Sequence, residues 1–327
     1  MSTDVIHVNE IIDNRFQVLK ELARGGMGVV YKGYDQRDDR YVVIKVPNYG
    51  VQADAVLLQE KLKSEADVLS RLSHKNIVKF VKSGNIGAHP YLVVEFVEGT
   101  RLDEYVKRRG GLDPEEAYRI SLKLLKVLEY IHGQNLLHRD FTPDNVMIRE
   151  KDKEPIVIDF GTAREISGVV RVTRIEKGYY TPPEMLLSTT YTQSSDIYMW
   201  GATLASMLRC RSNGNPCIDE IDRGSFNATS RHGPYLSFGK KPCDVLECGG
   251  YEAIFNTVLL KSLNPDPAER YSSVRDIIDY LSNVVVNAPA QADCYIQVMG
   301  GRKVNLDYSK VYVLGTEGDV KLDSSFV

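Results

Sequence analysis

The sequence has no long apolar run, no signal peptide and few cysteines. No apolar stretch reaches the roughly 18 residues that a membrane-spanning helix needs, because Lys, Glu or Asn interrupts each candidate. Residues 1–14 lack the basic and then apolar pattern of a secretory signal. These absences predict a soluble protein of the cytoplasm that does not act at a membrane.

Charge and cysteine content exclude further classes. The formal net charge is only -3, which gives no electrostatic reason to expect nucleic acid as a partner. Five cysteines are too few for a disulfide scaffold of 327 residues. Four of them lie between Cys210 and Cys248, at spacings that match no familiar zinc site. We therefore expect reduced thiols.

The first hundred residues are dominated by strand patterns. Alternating apolar residues and β-branched runs predict three strands within residues 16–48, with a glycine-rich turn between the first two. Residues 53–72 carry apolar side chains at a helical period, which predicts one amphipathic helix. Two more strands are predicted at 77–82 and 91–96. The pattern indicates a small β-rich lobe over residues 13–98.

From residue 99 the pattern becomes mainly helical. Asp113 at a cap position and Pro114 after it predict the start of a long helix that ends at Gly133. Three further helices and a long irregular insert follow, the helices at 194–209, 250–263 and 272–283 and the insert at 211–249. The whole pattern predicts an α+β fold of two lobes, the larger and mainly helical one over residues 99–286.

The tail, residues 290–327, returns to short strand patterns with glycine turns. Its string VYVLGTEGDVKLD resembles the opening strands of a forkhead-associated domain, a module that reads phosphothreonine. The resemblance implies a tail that binds phosphothreonine peptides, and the sequence would then stop partway through that domain. The alternative is a strand appendage that packs on the preceding lobes.

Short motifs that carry chemistry occur in a fixed order. ARGGMGVV is a glycine loop, YVVIK ends in Lys45, HRD at 138–140 precedes Asn145, and DFG occupies 159–161. Glycines let backbone N–H groups close over phosphates without interference from side chains. Phosphoryl transfer needs metal-binding carboxylates, a cation on the phosphates and a base. Each motif alone is weak, but their order and spacing make chance a poor explanation.

With these motifs, residues 13–284 resemble the eukaryotic-type (Hanks-type) serine/threonine protein kinases. The resemblance implies a bilobal protein kinase fold that uses ATP and Mg²⁺ to phosphorylate Ser or Thr of protein substrates, and itself. It implies Asp140 as the base that orients the substrate hydroxyl, and Asn145 and Asp159 as magnesium ligands. Lys45 becomes the phosphate-binding lysine.

The same resemblance assigns the rest of the nucleotide site. Glu65, in the segment EADVLSRLSHKNIV of the regulatory helix, is expected to pair with Lys45, and Glu60 is the fallback. The nucleotide is expected to lie between the glycine loop, the back of an adenine pocket and the hinge backbone, at Ala23, Gly25, Gly28, Val30, Val94, Glu95 and Val97.

Two features outside the site favour a protein substrate. Glu184 of the Pro-Glu pair is expected to form a buried ion pair with Arg270, as kinases do. Asp196 is expected to start the helix that anchors the catalytic loop. Aminoglycoside-type phosphotransferases share the lobes but lack this segment, which disfavours a small-molecule phosphotransferase.

An activating phosphosite is expected in the segment before Glu184. Thr173 lies eleven residues before Glu184, and Arg139 precedes the catalytic Asp. An arginine there can pair with a phosphate of charge about -2. Ser167 is the alternative acceptor, since Thr162 is too near the metal.

Three positions depart from the family pattern. Ala23 replaces the first glycine of the loop, which is tolerable at negative φ. Thr142 stands where serine/threonine kinases have a lysine, and Lys177 stands where they have a threonine. One interpretation is an exchange: Lys177 supplies the catalytic ammonium, and Thr142 makes the hydroxyl bond to Asp140. The other is unrelated drift at two variable positions.

A second class of function is a pseudokinase, a nucleotide-binding or scaffolding module. Thr142 and Ala23 motivate it. Retention of the phosphate-binding lysine, the base and both metal ligands speaks against it, because a scaffold has no physical need of all four.

Overall fold

A computed structural model describes most of the chain. The described residues are 5–26, 28–50, 54–166, 178–187, 190–210, 214, 242–244 and 246–287, with short strands between 295 and 321. Three predicted site residues, Ser167, Thr173 and Lys177, lie outside the described residues, as does most of the insert 211–249.

An antiparallel sheet of six strands, in the order β1-β2-β3-β4-β6-β5, forms the N-lobe. Its strands are β1 Ile11–Ile12, β2 Phe16–Arg24, β3 Val29–Asp35, β4 Arg40–Val46, β5 Phe80–Ile86 and β6 His89–Glu95. Helix α1, Ala55–Arg71, packs beside β6, and the Asp54 carboxylate caps it by accepting from Val56 N at 2.9 Å. The predicted strands 16–48 and the predicted helix are confirmed.

The strand predicted at 77–82 is wrong by several residues. Ile77 forms an isolated bridge with Val157 of the larger lobe, and Val78 N donates to Val157 O at 2.9 Å. Because this backbone bonds across the lobes, β5 begins only at Phe80. Residues 76–78 therefore form a hydrogen-bonded link between the lobes.

Residues 5–12, ahead of the predicted lobe, pack on the same sheet. Ile6 and Ile12 are buried among the apolar side chains of β2 and β3. Tyr91 of β6 donates a hydrogen bond to Asp13, and Lys82 lies 2.6 Å from the same carboxylate. This segment therefore covers apolar surface of the N-lobe sheet.

The C-lobe is mainly helical and contains the largest core. Its helices are α2 Leu102–Arg109, α3 Pro114–Gly133, α4 Pro183–Leu187, α5 Gln193–Met207, α6 Glu252–Ser262 and α7 Val274–Asn287. From Ser195 to its end α5 is buried on all sides, as a central helix must be. The predicted helices at 194–209, 250–263 and 272–283, and the one ending at Gly133, are confirmed within a few residues.

Two small sheets hold the segments that carry the motifs. Strands β7 Gly99–Arg101, β9 Val146–Arg149 and β10 Pro155–Val157 form one sheet with β9 in the middle. Strands β8 Leu136–Leu137 and β11 Arg164–Glu165 pair in the other. The HRD and DFG motifs follow β8 and β10, so both enter the cleft from rigid strands.

The expectation of reduced thiols is wrong for three cysteines. Cys243 and Cys248 form a disulfide, and Cys210 is also disulfide-bonded. The chain turns between Cys243 and Cys248 and brings their Cα atoms to 5.6 Å, within the range that a disulfide bridges. A spacing of five residues carries no sequence signal for that turn.

The tail contributes two strand pairs to the described part of the chain. β12 Tyr295–Gln297 pairs antiparallel with β13 Lys303–Asn305, and β14 Leu314–Gly315 pairs in parallel with β15 Val320–Lys321. The resemblance to a forkhead-associated domain stays a prediction. Among the described helices, none is both long and apolar enough to span a bilayer.

Candidate active site

Lys45 of β4 and Glu65 of α1 meet in the cleft between the lobes. Lys45 Nζ lies 2.6 Å from Glu65 Oε1 and 3.7 Å from Asp159 Oδ2. Burial disfavours the ammonium, but the carboxylates of Asp159 and Glu65 outweigh it and raise the pKa of Lys45 above its ordinary value. The lysine is therefore charged at neutral pH. Glu60, the fallback partner, is exposed.

Asp196 of helix α5 is fully buried and is hydrogen-bonded to the backbone of the catalytic loop. Its Oδ2 accepts from His138 N at 3.0 Å and faces His132 Nε2 at 2.9 Å. Its Oδ1 accepts from Arg139 N at 2.9 Å and Tyr191 OH at 2.8 Å. Burial raises the pKa of this carboxyl, but the bond from His132 and the other donors overcome burial and hold it below its ordinary value.

Arg139 has a left-handed backbone, with φ of 68°, which is strained for a residue with a side chain. Two consecutive N–H groups, those of His138 and Arg139, bond the one Asp196 carboxylate. These bonds hold the strained turn. The loop is thereby fixed just before Asp140.

Asp140 and Asn145 lie at the two ends of this loop. Asn145 Nδ2 donates to Asp140 O at 2.9 Å, which leaves the amide oxygen of Asn145 as its group for a cation. Thr142 N also donates to Asp140 O, at 3.0 Å. The loop is thus folded back on the backbone of the predicted base.

The Thr142 hydroxyl does not make the bond that the exchange interpretation expects. It donates to Asp144 Oδ1 at 2.5 Å, whereas a bond to the Asp140 carboxylate was predicted. The reason is local geometry: residues 143–145 form one 3₁₀ turn, which brings Asp144 back over Thr142. That part of the interpretation is wrong.

Asp159 faces the cleft because its neighbour Phe160 is anchored behind it. Phe160 is fully buried and packs edge-to-face on the His138 ring, with centroids 4.9 Å apart. Gly161 N donates to Asp159 Oδ1 at 2.8 Å, and the Asp159 side chain remains 44% exposed. The carboxylate is thus oriented and accessible.

Oxygen ligands for a magnesium ion come from both sides of the cleft floor. Asn145 and Asp159 line one cavity, and carboxylate and amide oxygens are the donors that Mg²⁺ prefers. Among the described residues no group of three or more His, Cys, Asp or Glu could hold a metal alone. This donor set fits Mg²⁺, which proteins commonly hold with one or two carboxylates plus phosphates of the substrate.

A cavity of about 350 Å³ runs from the hinge to Asp159 and fits a nucleotide base. It contains the predicted Ala23, Val30, Lys45, Val94, Glu95 and Val97. Sequence reasoning missed five apolar lining residues, Leu22, Val43, Val78, Met147 and Ile158. Strand alternation could have found one of them, since Val43 shares a face of β4 with Lys45.

The hinge has one backbone donor for adenine. Glu95 N donates to Lys79 O at 2.9 Å, and Phe96 N donates to Tyr41 O at 3.4 Å. Val97 N donates to no group within the described part of the chain. The hinge contact predicted for Val97 is therefore geometrically open.

A second cavity, of about 340 Å³, lies under the glycine loop and contains Gly25 and Gly28. A Cβ on Gly28 would lie 2.8 Å from Val46 O, so a side chain is excluded there. Asn48, which sequence reasoning missed, is buried and donates from Nδ2 to Gly25 O at 2.8 Å. Ala23 lies in β2, where an alanine is unstrained.

The segment that contains Glu184 is tied to the C-lobe by an ion pair. Arg270 Nη1 and Nη2 lie 2.9 and 2.7 Å from the two Glu184 oxygens, and the arginine side chain is fully buried. Ser195 Oγ adds a hydrogen bond to Glu184 Oε1 at 2.7 Å. The predicted contact between Glu184 and Arg270 is present.

The Arg139 guanidinium lies near Arg164. Burial, and then the charge of Arg164, lower the pKa of Arg139. Its Nε is buried and makes no hydrogen bond to any residue that the structure describes. Two like charges with a buried donor favour an anion at this place.

Comparisons with known proteins agree with this geometry. The family model described as "Protein kinase domain" matches residues 16–278. A protein of Lactococcus lactis named "Probable serine/threonine-protein kinase PknB" is 32% identical over 208 residues, which are 62% of this chain and 33% of that protein. Serine/threonine-protein kinase PknK of Mycobacterium tuberculosis is 29% identical over 279 residues, 84% of this chain and 24% of that protein.

Solved structures share the fold. A crystal structure of a double mutant of the Mycobacterium tuberculosis PknI kinase domain has a TM-score of 0.62 at 21% identity. The similarity covers 85% of this chain and 98% of that one. In the two curated relatives named above, by contrast, the matched region spans a third of the length or less.

Proposed function

Because the chain belongs to the protein kinase family, we propose that it is an active, ATP-dependent serine/threonine protein kinase. The observation that carries the proposal is the cluster of Lys45, Glu65 and Asp159, with contacts of 2.6 and 3.7 Å. A charged lysine and an oriented carboxylate at the phosphate end of a nucleotide cavity are what phosphoryl transfer requires.

In this mechanism each residue has one task. Val97 N donates to adenine, and the glycine loop covers the phosphates with backbone N–H groups. Lys45, positioned by Glu65, binds the phosphates as a cation. Mg²⁺, bound by Asn145 and Asp159, would neutralise phosphate charge. Asp140 accepts the proton of the substrate hydroxyl.

Protein substrates follow from the segment that ends at Glu184. Its buried pair with Arg270 fixes the far end of that segment against the C-lobe. Aminoglycoside-type phosphotransferases lack this segment, so its presence supports a protein substrate. The proposed substrates are therefore Ser or Thr residues of proteins, including this chain.

Activation by phosphate on Thr173, or else on Ser167, belongs to the same proposal. The buried Nε of Arg139 and the charge of Arg164 give that phosphate a site. The pseudokinase alternative rests on Thr142 and Ala23 alone and is not favoured. Phosphothreonine reading by the tail and a cytoplasmic location stay predictions.

Incubation with Mg²⁺ and ATP, followed by intact-mass measurement and peptide mapping, tests the proposal. We expect mass increments of one phosphate each, with phosphate on Thr173 or Ser167. Asp159→Ala should remove them while the protein stays folded, since loss of a charge-stabilising group in phosphoryl transfer costs about 10³-fold or more. Asp67→Ala, at an exposed position, is the matched control.

Absence of transfer by the unmutated chain, to itself and to Ser/Thr peptide libraries, would refute the proposed activity. Wild-type turnover in Asp159→Ala would refute the assignment of the metal site. Phosphate on neither Thr173 nor Ser167, with turnover intact, would refute the activation switch alone.

A further inference from the structure

One face of helix α1 looks into the cavity under the glycine loop. Leu58, Lys61, Leu62 and Glu65 all line that cavity, and their spacing of three, four and seven residues places them on one face. Glu65 on this face already binds Lys45. Lys61 lies one helical turn before Glu65, so it faces the phosphate end of the site.

Lys61 contributes a positive charge to this cavity, and no carboxylate that the structure describes pairs with it. Within the described residues its side chain makes no ion pair or hydrogen bond, whereas Lys45 is paired with both Glu65 and Asp159. The charged side chains of the cavity, Lys45, Lys61, Glu65 and Asp159, sum to zero. The side chains of this cavity therefore offer a polyphosphate no net positive charge, and any excess must come from bound metal.

The catalytic loop supplies no cation to this place. Thr142 is almost fully buried, and its hydroxyl is used by Asp144. The transferring phosphate nevertheless needs a charged donor. A lysine stem of about 6 Å is long enough to carry an ammonium from the α1 face into the cavity.

We propose that Lys61 binds the terminal phosphate of ATP under the glycine loop and supplies there the cation that Thr142 does not. The inference rests on the proposed function and names a further nucleotide-binding residue for it. Lys61 then couples α1 to the nucleotide, because both Lys61 and Glu65 need the helix in its present position.

Nucleotide affinity tests this proposal without relying on turnover. Binding of the β,γ-imido analogue of ATP and of ADP, each with Mg²⁺, is measured by calorimetry on phosphatase-treated protein. A charge-assisted contact predicts that Lys61→Ala weakens the analogue by roughly 10- to 100-fold. ADP, which lacks the terminal phosphate, should bind within about twofold of its normal affinity.

Two variants control for the helix and for the charge. Lys63→Ala removes the same charge from the exposed side of α1 and should leave both affinities unchanged. Lys61→Arg keeps the charge and should retain most of the preference for the analogue. In turnover assays, Lys61→Ala should also lower kcat.

Two outcomes would overturn the inference. Equal loss for ADP and the analogue would mean a general effect on the site. An effect confined to phosphorylated protein would mean that Lys61 binds a phosphate on the chain itself. If the unmutated chain prefers the analogue but transfers no phosphate, the proposed function fails, and the Lys61 contact is still judged by affinity.

Discussion

Replacing Asp196 by Asn should destabilise the fold and disable the catalytic loop together. Asp196→Asn changes neither size nor shape, so it isolates the acceptor function of the carboxylate. Each Asp196 oxygen serves two groups: Oδ2 serves His138 N and His132 Nε2, and Oδ1 serves Arg139 N and Tyr191 OH. An amide has one oxygen, so either orientation leaves one pair of groups facing NH₂.

The magnitude follows from the backbone N–H that is left facing NH₂, because His132 Nε2 and the Tyr191 hydroxyl can each accept from an amide. A buried donor that loses its acceptor costs about 1–3 kcal/mol, so the loss should be about 2 kcal/mol. In a domain of this size, that lowers Tm by roughly 4–8 °C. The strained φ of Arg139, 68°, adds to the effect, because its own N–H bond is one of those at stake.

Urea unfolding and thermal melts give the free energy of unfolding, and a peptide assay gives kcat. Asp67→Asn, on the exposed side of α1, is the control for removing a carboxylate and should lie within about 0.5 kcal/mol of the unmutated chain. Because the folded pKa of Asp196 is lowered, its contribution is present above the unfolded value of about 3.9 and is lost as pH falls. The gap between Asp196→Asn and the unmutated chain should therefore narrow in acid. A variant of unchanged stability and turnover would refute this account of the loop.

Glu184→Ala should lower the free energy of unfolding by about 3–5 kcal/mol, because it leaves the Arg270 charge buried. Adding Arg270→Met should recover part of that loss. If the costs of the two substitutions simply add, the two side chains do not form a direct pair. For the exchange interpretation, Lys177→Ala should lower turnover roughly 10²-fold with little change in ATP affinity. The double change Thr142→Lys with Lys177→Thr should restore much of it, and near-normal turnover of Lys177→Ala would end the interpretation.

Patterns with a strong local cause were predictable from sequence. β3 and β4 follow from alternating apolar residues and the β-branched run at residues 42–44, and α3 follows from Pro114 at its first turn and the apolar period behind it. The strand at 77–82 was misplaced because Ile77 bonds across the lobes to Val157, a contact between residues 80 apart in sequence. Local pattern carries no record of such a partner.

The candidate site divides in the same way. Lys45 and Glu65 were paired in advance because motif order restricts the choice to one helix. Asn48 was missed because its bond to Gly25 O depends on how the loop after β4 folds back. The acceptor of the Thr142 hydroxyl was predicted wrongly because Asp140 and Asp144 both lie two residues away in sequence. Only the 3₁₀ turn decides between the two carboxylates.

The direction of the Thr142 hydroxyl also bears on which lysine, Lys61 or Lys177, supplies the cation that residue 142 does not. If the Thr142 hydroxyl bonded Asp140, residues 142 and 177 would have exchanged roles. Lys177 would then be the residue expected to supply the ammonium. With Thr142 bonded to Asp144, the identity of residue 142 no longer requires a lysine at residue 177. Lys61 needs no such exchange, since it enters from α1 beside Glu65. A cation on α1 would bind the terminal phosphate only while α1 holds the position in which Glu65 contacts Lys45. Phosphate binding would therefore shift the equilibrium of α1 toward that position.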